Sequence, residues 1–165
     1  MKKTLTLFVV LVMFLNASFA QSTGDAIVTT TLTDVIVIVV LPSASIPMTT
    51  ADHYNNGNST AIPAAITVSS TQTWDLAVKA ANINFSFLTN NIAINQFTME
   101  VTGNAGGTNT GEVAMTTSDQ QLLDEVPGGV ALALGAIYGA SGGVLFIGQP
   151  AGAYVNTYTF TVTVD

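Results

Sequence analysis

The chain has 165 residues, and its 3 Lys and Arg residues against 10 Asp and Glu residues give a formal net charge of −7. Such an acidic chain lacks the basic face that nucleic-acid binding requires, so nucleic acid is excluded as a partner. The absence of cysteine excludes disulfides, cysteine zinc sites and a lipid anchor on an N-terminal cysteine. Charged residues are sparse and Thr, Ser, Asn and Gly are abundant, which favours an extracellular β-protein over a cytosolic enzyme.

The first 20 residues have the three parts of a secretory signal peptide. Met1-Lys2-Lys3 is positively charged, Leu5–Leu15 is apolar, and Ser18 and Ala20 are the small residues that a signal peptidase recognises. We therefore predict cleavage before Gln21 and secretion by the Sec pathway, to the periplasm, the cell surface or the medium. The alternative, an N-terminal membrane anchor, is disfavoured because the apolar run is too short to span a bilayer. No stable membrane insertion is expected after cleavage.

Residues 21–165 have the length of one domain and can bury a core without disulfides. After a polar leader, Gln21–Asp25, the β-branched stretch Ala26–Leu41 predicts a long strand, or two strands broken near Thr33-Asp34. Within this stretch, Val35–Val40 is a continuous apolar run, which predicts a strand buried on both faces; a core helix is the alternative. Pro42–Thr50 is predicted to be a loop.

Turn signals and short strands alternate in the middle of the chain. Asp52–Asn58 is rich in turn residues, and its Asn56-Gly57 pair suits a tight turn with positive φ. Ala64–Ser69 and Thr73–Ala80 are predicted strands. In the second, Trp74, Leu76 and Val78 share one face, so this face is predicted to lie in the core, with Trp74 at its centre.

The next predicted strands are Asn84–Leu88 and Ile92–Thr102, the latter with a bulge near Asn95-Gln96. A loop, Gly103–Gly111, follows, and then a short strand, Glu112–Thr116.

Ser118–Glu125 predicts a helical turn or a loop with Leu122 and Leu123 turned inward. Val130–Leu134 and Gly143–Ile147 are predicted strands.

A membrane helix is the competing interpretation of Val126–Gly148. This stretch is uncharged, and Gly135, Gly139 and Gly143 have the spacing of small residues that occurs where membrane helices pack. Its many glycines and the alternation in Val130–Leu134 favour a strand instead.

The last stretch, Thr157–Val164, alternates strictly. Tyr158, Phe160 and Val162 fall on one face and threonines on the other, which predicts a half-buried antiparallel strand with a solvated Thr face. Eight or nine strands at short spacing predict an all-β fold, an antiparallel β-sandwich of the Ig-like or pilin-like kind, as a single domain over residues 21–165. The predicted core residues are Trp74, Leu76, Val78, Phe97, Tyr158, Phe160 and Val162.

The sequence contains no convincing catalytic constellation. His53, the one histidine, lies in a turn-rich stretch without a nucleophile motif nearby, so we interpret it as a solvated turn residue. Asp119, Asp124 and Glu125 could ligate calcium, but their spacing does not match an EF-hand and a solvated loop is favoured. We predict no enzyme, no catalytic or metal site and no cofactor; a hydrolase with two facing carboxylates is the disfavoured alternative.

Three stretches carry a resemblance to a group of proteins. They are Ala51–Gly57, Ile66–Ala80, and Gln149–Tyr154 leading into Tyr158–Val164. Together they resemble secreted bacterial β-sandwich surface proteins, WxL-like or pilin- and coat-protein-like domains of uncharacterised function that are common in Bacteroidetes and proteobacteria. Trp74-Asp75-Leu76 is a single W-x-L motif where cell-wall-binding WxL domains carry two, so peptidoglycan binding is not implied. The resemblance implies a surface or appendage sandwich without catalytic residues.

These observations predict a non-enzymatic extracellular structural or adhesive protein, such as a pilin-like or surface-coat subunit. Its expected partners are other copies of itself, in an oligomer or filament, or other cell-surface proteins and glycans. The candidate assembly strands are marked by Val35, Val37 and Val39 near the beginning and by Thr157, Thr159 and Thr161 near the end. The alternative is a monomeric carbohydrate- or protein-binding module that makes contact through loops Thr49–Ala61 and Gly103–Gly111.

Overall fold

Antiparallel sheets packed against each other form most of the described chain, in agreement with the predicted all-β, sandwich-like fold. The computed structural model describes residues 29–41 and 43–165, so the predicted signal peptide and the leader Gln21–Asp25 lie outside the described residues. Thr33–Asp165 forms one compact unit. The eleven strands of the described residues exceed the predicted eight or nine, partly because two of them are only two residues long.

In chain order the elements are β1 (Ile36–Val40), α1 (Ala51–Asn56), β2 (Asn58–Ser70), β3 (Trp74–Ala80), β4 (Asn84–Phe87), β5 (Asn90–Ala93), a 3-10 turn (Ile94–Gln96), β6 (Phe97–Thr102), β7 (Thr108–Asn109), β8 (Val113–Ala114), β9 (Gln120–Val126), β10 (Gly129–Ala140) and β11 (Tyr158–Val164). The larger sheet has the order β1-β2-β10-β6-β8, and the smaller has the order β11-β3-β9-β7. A separate hairpin pairs β4 with β5. All the strand pairs are antiparallel, so short turns can join neighbouring strands.

The core lies between the two large sheets. In β3 the alternation is complete: Trp74, Leu76 and Val78 are fully buried. Phe97 at the start of β6 is also buried. Tyr158, Phe160 and Val162 of β11 are half-buried and pack against this cluster.

Two neighbouring leucines reach the core through a bulge in β9. The prediction of a helical turn or loop over Ser118–Glu125 is wrong, because Gln120–Val126 is a strand. Leu76 is opposite Leu123 and Ala77 is opposite Gln121, so Leu122 is an extra residue in β9. Leu122 and Leu123 are both fully buried. A bulge changes which face successive residues present, and this break in the period of two removed the strand signal.

The predicted single strand Ile92–Thr102 is two strands in different sheets. The 3-10 turn Ile94–Gln96 separates β5 from β6, at the point where the sequence showed a slip of phase. A short helical turn, rather than a bulge, therefore changes the direction of the chain here.

The turn-rich stretch Asp52–Asn58 contains a short helix instead of a tight turn. The hydroxyl of Thr50 accepts a hydrogen bond from the His53 N–H and caps α1. The helix ends at Gly57, which has a φ of +88° and donates its N–H to the His53 carbonyl. A Cβ on Gly57 would overlap the Ala140 carbonyl, so glycine lets α1 lie against the end of β10.

The stretch Val126–Gly148 is not a membrane helix, because most of it forms β10 in the centre of the larger sheet. Gly135 is opposite Thr102 and Gly139 is opposite Thr98. A Cβ at either glycine would collide with the hydroxyl oxygen of the facing threonine, which explains the spacing of these two glycines. Among the described residues, no helix has both the length and the apolar character that a membrane span requires.

The predicted strand Gly143–Ile147 is a turn. Val144, Leu145 and Ile147 are exposed, whereas Phe146 is buried. Gly142 and Gly143 have φ values of +70° and +86°, and these two consecutive positive values turn the chain away from the direction of β10. The apolar character of this stretch therefore reflects one buried phenylalanine flanked by exposed aliphatic residues.

Candidate functional site

The first strand of the larger sheet is an open edge with an apolar outer face. Within the described chain, β1 pairs with β2 alone. Val37 and Val39 are 50% and 58% exposed, and Val35, which precedes the strand, is 48% exposed. Ile38 and Val40 point the other way and pack against the core. The prediction that Val35–Val40 is buried on both faces is wrong, because none of the described residues covers the outer face, and the core-helix alternative is also wrong.

The first strand is also shorter than expected. Of the predicted strand Ala26–Leu41, residues 26–28 lie outside the described residues, and Thr29–Val35 has no strand pairing. The Val35 N–H donates to the Thr71 hydroxyl oxygen at 3.0 Å, and the Thr71 N–H donates to the Val35 carbonyl at 3.0 Å. These two bonds fix the point at which β1 begins.

The last strand, β11, is an open edge of the smaller sheet. It pairs with β3 from Tyr158 opposite Ala80 to Val164 opposite Trp74. Thr159 and Thr161 are exposed on the outer face, and Thr157, just before the strand, is exposed as well. The solvated face of β11 therefore carries the hydroxyl and methyl groups of threonines, whereas the outer face of β1 carries valines.

The two open edges are neighbours. β1 and β11 belong to different sheets and contact each other on the same side of the sandwich. They are five and seven residues long, whereas the opposite edge strands, β8 and β7, have two residues each. Short edge strands and charged side chains are common ways of blocking an edge, and β1 and β11 have neither.

A cavity of about 840 Å³ opens between the segment that follows β1 and the segment that precedes β11. Its walls include all four tyrosines of the chain: Tyr54, Tyr138, Tyr154 and Tyr158. None of the described residues that line it is charged. The cavity is therefore a neutral, aromatic site at the end of the sandwich where β1 ends and β11 begins.

The aromatic side chains of this cavity form a connected cluster. Phe85 stacks on Phe97 with ring centroids 3.8 Å apart, and Phe146 meets Phe97 edge-on at 5.8 Å. Tyr158 meets Phe85 edge-on at 6.1 Å, and Tyr138 lies 6.1 Å from Tyr158. Such pairs stabilise a wall of rings beyond the burial of their area.

The tyrosine hydroxyls of the cavity differ in their partners. Tyr154 donates towards the Pro150 carbonyl at 3.1 Å or the Gln149 side-chain oxygen at 3.3 Å. The hydroxyls of Tyr138 and Tyr158 make no hydrogen bond to the residues that the structure describes. Burial raises the pKa of Tyr138, and burial together with the neighbouring Tyr138 phenol raises the pKa of Tyr158 well above its usual value. Both hydroxyls therefore remain protonated donors at neutral pH.

The residues considered for catalysis or calcium binding do not converge. The Nδ1 of His53 accepts the Thr49 N–H at 3.3 Å next to α1. Asp119 forms an ion pair with Lys79 at 3.4 Å before β9 begins. Asp124 accepts from the Gln121 amide near the other end of that strand. Strand geometry separates Asp119 from Asp124 by roughly 16 Å along the chain. No group of three or more His, Asp or Glu residues suited to a metal ion occurs in the described part of the chain.

The two loops expected to form one contact rim extend towards different ends of β10. Gly57, in the first loop, lies against the Ala140 carbonyl, whereas Gly107, in the second, lies against Val126. Ala140 and Val126 flank opposite ends of β10. These two positions of the loops therefore do not meet, although the loop bases are close: Ala61 is opposite Ile137, and Thr102, which precedes Gly103, is opposite Gly135.

The sequence indicated β1 and β11 as assembly strands, which stays a prediction, and it gave no indication of the cavity. The available signal was the position of the tyrosines: two of them, Tyr138 and Tyr154, lie in glycine-rich segments near strand ends. No protein-family model matches the chain, and a search of curated proteins finds no match.

Proposed function

We propose that the protein is a secreted, non-enzymatic structural or adhesive protein, such as a pilin-like or surface-coat subunit, and that it joins other copies through β1 and β11. The observation that carries this proposal is the pair of adjacent open edges, which are long, uncharged and located on one side of the sandwich. An unpaired edge presents a row of N–H and C=O groups that can add a strand from another molecule.

The outer face of β1 would add side-chain burial to these backbone bonds. About half of the surface of Val37 and of Val39 is exposed to solvent in the single chain. Burying apolar area contributes about 25 cal/mol per Å², so covering two valines favours association without any specific polar contact. The cross-strand neighbours of these valines are Ser69 and Thr67, which do not oppose such a contact with charge.

The experiment is light scattering coupled to size-exclusion chromatography on residues 21–165, over a range of protein concentrations, followed by negative-stain microscopy. We expect oligomers or filaments whose proportion rises with concentration. Val39→Lys places a charge on the open edge and is expected to give a monomer. Val144→Lys is the matched control, because Val144 is 80% exposed and lies in the turn that follows β10, outside both large sheets.

Circular dichroism of each variant checks that the sandwich remains folded. A wild-type protein that stays monomeric at the highest concentration would contradict spontaneous edge pairing. Equal association of Val39→Lys and the wild-type protein would place the contact on another surface.

The second candidate function is that of a monomeric extracellular module that binds a carbohydrate or a protein. The observation that favours it is the aromatic cavity, whose walls include Tyr54 next to the loop that was expected to make contact. A monomer that binds immobilised glycans, and that loses binding in Tyr54→Ala, would favour this function over assembly.

A further inference from the structure

The cavity lined by the four tyrosines has the size of a small-molecule site. Its volume of about 840 Å³ lies within the range of roughly 300–1,000 Å³ that is typical of ligand pockets. The described residues of its lining carry no charge, so an ionic group in the cavity would lose its hydration without gaining a partner. The lining therefore selects for a neutral ligand.

The amide side chains of the cavity are already used by the protein itself. The Nδ2 of Asn156 donates to the carbonyls of Asn82 and Asn84, at 2.8 and 2.9 Å, and its Oδ1 accepts from two backbone N–H groups. The Nε2 of Gln149 donates to the Leu145 carbonyl at 3.3 Å. These two amides are therefore occupied within the protein. Polar recognition in the cavity depends instead on hydroxyl groups, those of Tyr138, Tyr158, Ser43, Ser45, Thr49 and Thr157.

Two of these hydroxyl groups belong to neighbouring aromatic rings. The phenol groups of Tyr138 and Tyr158 lie side by side, with ring centroids 6.1 Å apart, and neither donates to a described residue. Next to them is the half-buried ring of Phe85, which stacks on the buried Phe97. The cavity thus combines an apolar aromatic surface with a pair of neutral donors at one position.

We propose that the cavity binds one neutral, ring-containing small molecule that carries a carbonyl or ether oxygen. The rings of the ligand pack against Phe85 and Tyr154, which are only half-buried, and its oxygen accepts a hydrogen bond from Tyr138 or Tyr158. Val40 of β1 and Tyr158 of β11 line the cavity from the inner side of the edge strands, whereas Val37 and Val39 on the outer face of β1 do not line it.

The test uses the solvent-sensitive dye Nile red, which is neutral, has fused rings and carries a carbonyl oxygen. Added to residues 21–165, it is expected to bind at one dye per chain with enhanced emission. The anionic dye anilinonaphthalenesulfonate is the comparison, and its affinity is expected to be at least about tenfold lower because its sulfonate finds no cation. Equal affinity for both dyes, or no saturable binding of Nile red, would overturn the proposal.

Variants locate the dye. Ala44→Trp and Ala153→Trp fill the cavity from its two exposed loops and are expected to weaken binding about tenfold or more. Ala114→Trp adds the same side chain to an exposed position in β8, outside the cavity, and should leave the affinity unchanged. Unchanged binding in both filling variants would show that Nile red binds elsewhere and would overturn the proposal.

The donors are tested by Tyr138→Phe combined with Tyr158→Phe. The double variant keeps the rings but removes both hydroxyls, and we expect affinity to fall about threefold to tenfold, with dye emission shifted to shorter wavelength. An unchanged spectrum and affinity would remove the assigned role of the hydroxyls. Val39→Lys, which disrupts the edge, should bind Nile red as the wild-type protein does, so failure of edge pairing and failure of this site give different results.

Discussion

The two open edges occupy equivalent positions in the two sheets but present opposite chemistry. The outer face of β1 carries Val37 and Val39, whereas the outer face of β11 carries Thr159 and Thr161. Their inner faces are also different, because β11 contributes Tyr158 and Phe160 to an aromatic cluster and β1 contributes aliphatic side chains. Both edges therefore offer the same backbone groups, and the side chains decide how strongly each edge attracts a partner.

This difference separates the role of an edge in folding from its role in association. β11 is anchored from within by large aromatic side chains, and its outer face is suited to water. β1 is anchored by smaller side chains, and its outer face is suited to a partner. We therefore expect changes in β11 to affect mainly stability and changes in β1 to affect mainly association.

The largest expected effect on stability comes from the inner faces. Phe160→Ala should lower the free energy of unfolding by about 2 kcal/mol, less than for a fully buried phenylalanine, because Phe160 is half-buried. Ile38→Ala in β1 should lower the free energy of unfolding by about 1 kcal/mol. Urea denaturation of both variants measures the two values, with Thr161→Ala as the solvent-facing control. A larger loss for Ile38→Ala would reverse the proposed difference in anchoring.

Alkaline pH should weaken the anchoring of β11 specifically. Burial raises the pKa of Tyr158 in the folded protein above its ordinary value, so the unfolded chain releases this proton first. The stabilisation is therefore fully present below about pH 10 and is lost as the pH rises through the folded pKa.

Denaturation at pH 8 to 11 should show this loss for the wild-type protein and a weaker one for Tyr138→Phe combined with Tyr158→Phe. An identical alkaline loss in the double variant would assign the effect to other groups.

Exchanging the outer residues between the edges should change association while stability changes by at most about 0.5 kcal/mol. Val37→Thr is expected to weaken self-association about fivefold, and Thr161→Val to strengthen it by a similar factor, since each change alters the apolar area by about one methyl group. Analytical ultracentrifugation measures both. Changes in the opposite directions would show that the valine face is not part of the contact.

The smallest change in the free energy of unfolding is expected for Trp74, which is opposite Val164 near the end of β11. The indole Nε1 of Trp74 is buried and has no partner among the described residues. Leaving such a donor unpaired costs about 1–3 kcal/mol, which offsets part of the burial of the ring. Trp74→Phe should therefore change the free energy of unfolding by less than about 1 kcal/mol, and a thermal melt showing a loss of several kcal/mol would indicate an unrecognised partner.

Local periodicity predicted the elements that follow a period of two without interruption. β3 and β11 alternate strictly, and both lie where the sequence placed strands. Periodicity did not predict the strand β9, because the bulge at Leu122 puts two consecutive leucines in the core. Periodicity also wrongly predicted a strand at Gly143–Ile147, where Gly142 and Gly143, both with positive φ, lead from β10 into a turn.

The candidate sites depended on information that periodicity does not contain. An apolar run such as Val35–Val40 reports side-chain chemistry, but its burial depends on whether another element covers it, and in the described residues none does. The cavity is formed by residues from α1, β10, β11 and the segments between them, which are far apart in sequence. Their proximity follows from the strand order, and strand order was not readable from the chain.

Pairing of the open edges is tested most directly by amide hydrogen exchange on residues 21–165 at low and high protein concentration. If β1 and β11 add strands from other copies, the amides of Ile36–Val40 and Tyr158–Val164 that face away from β2 and β3 should become more protected as concentration rises. Protection that stays constant at both edges, while oligomers form, would contradict edge pairing and place the interface on another surface of the sandwich.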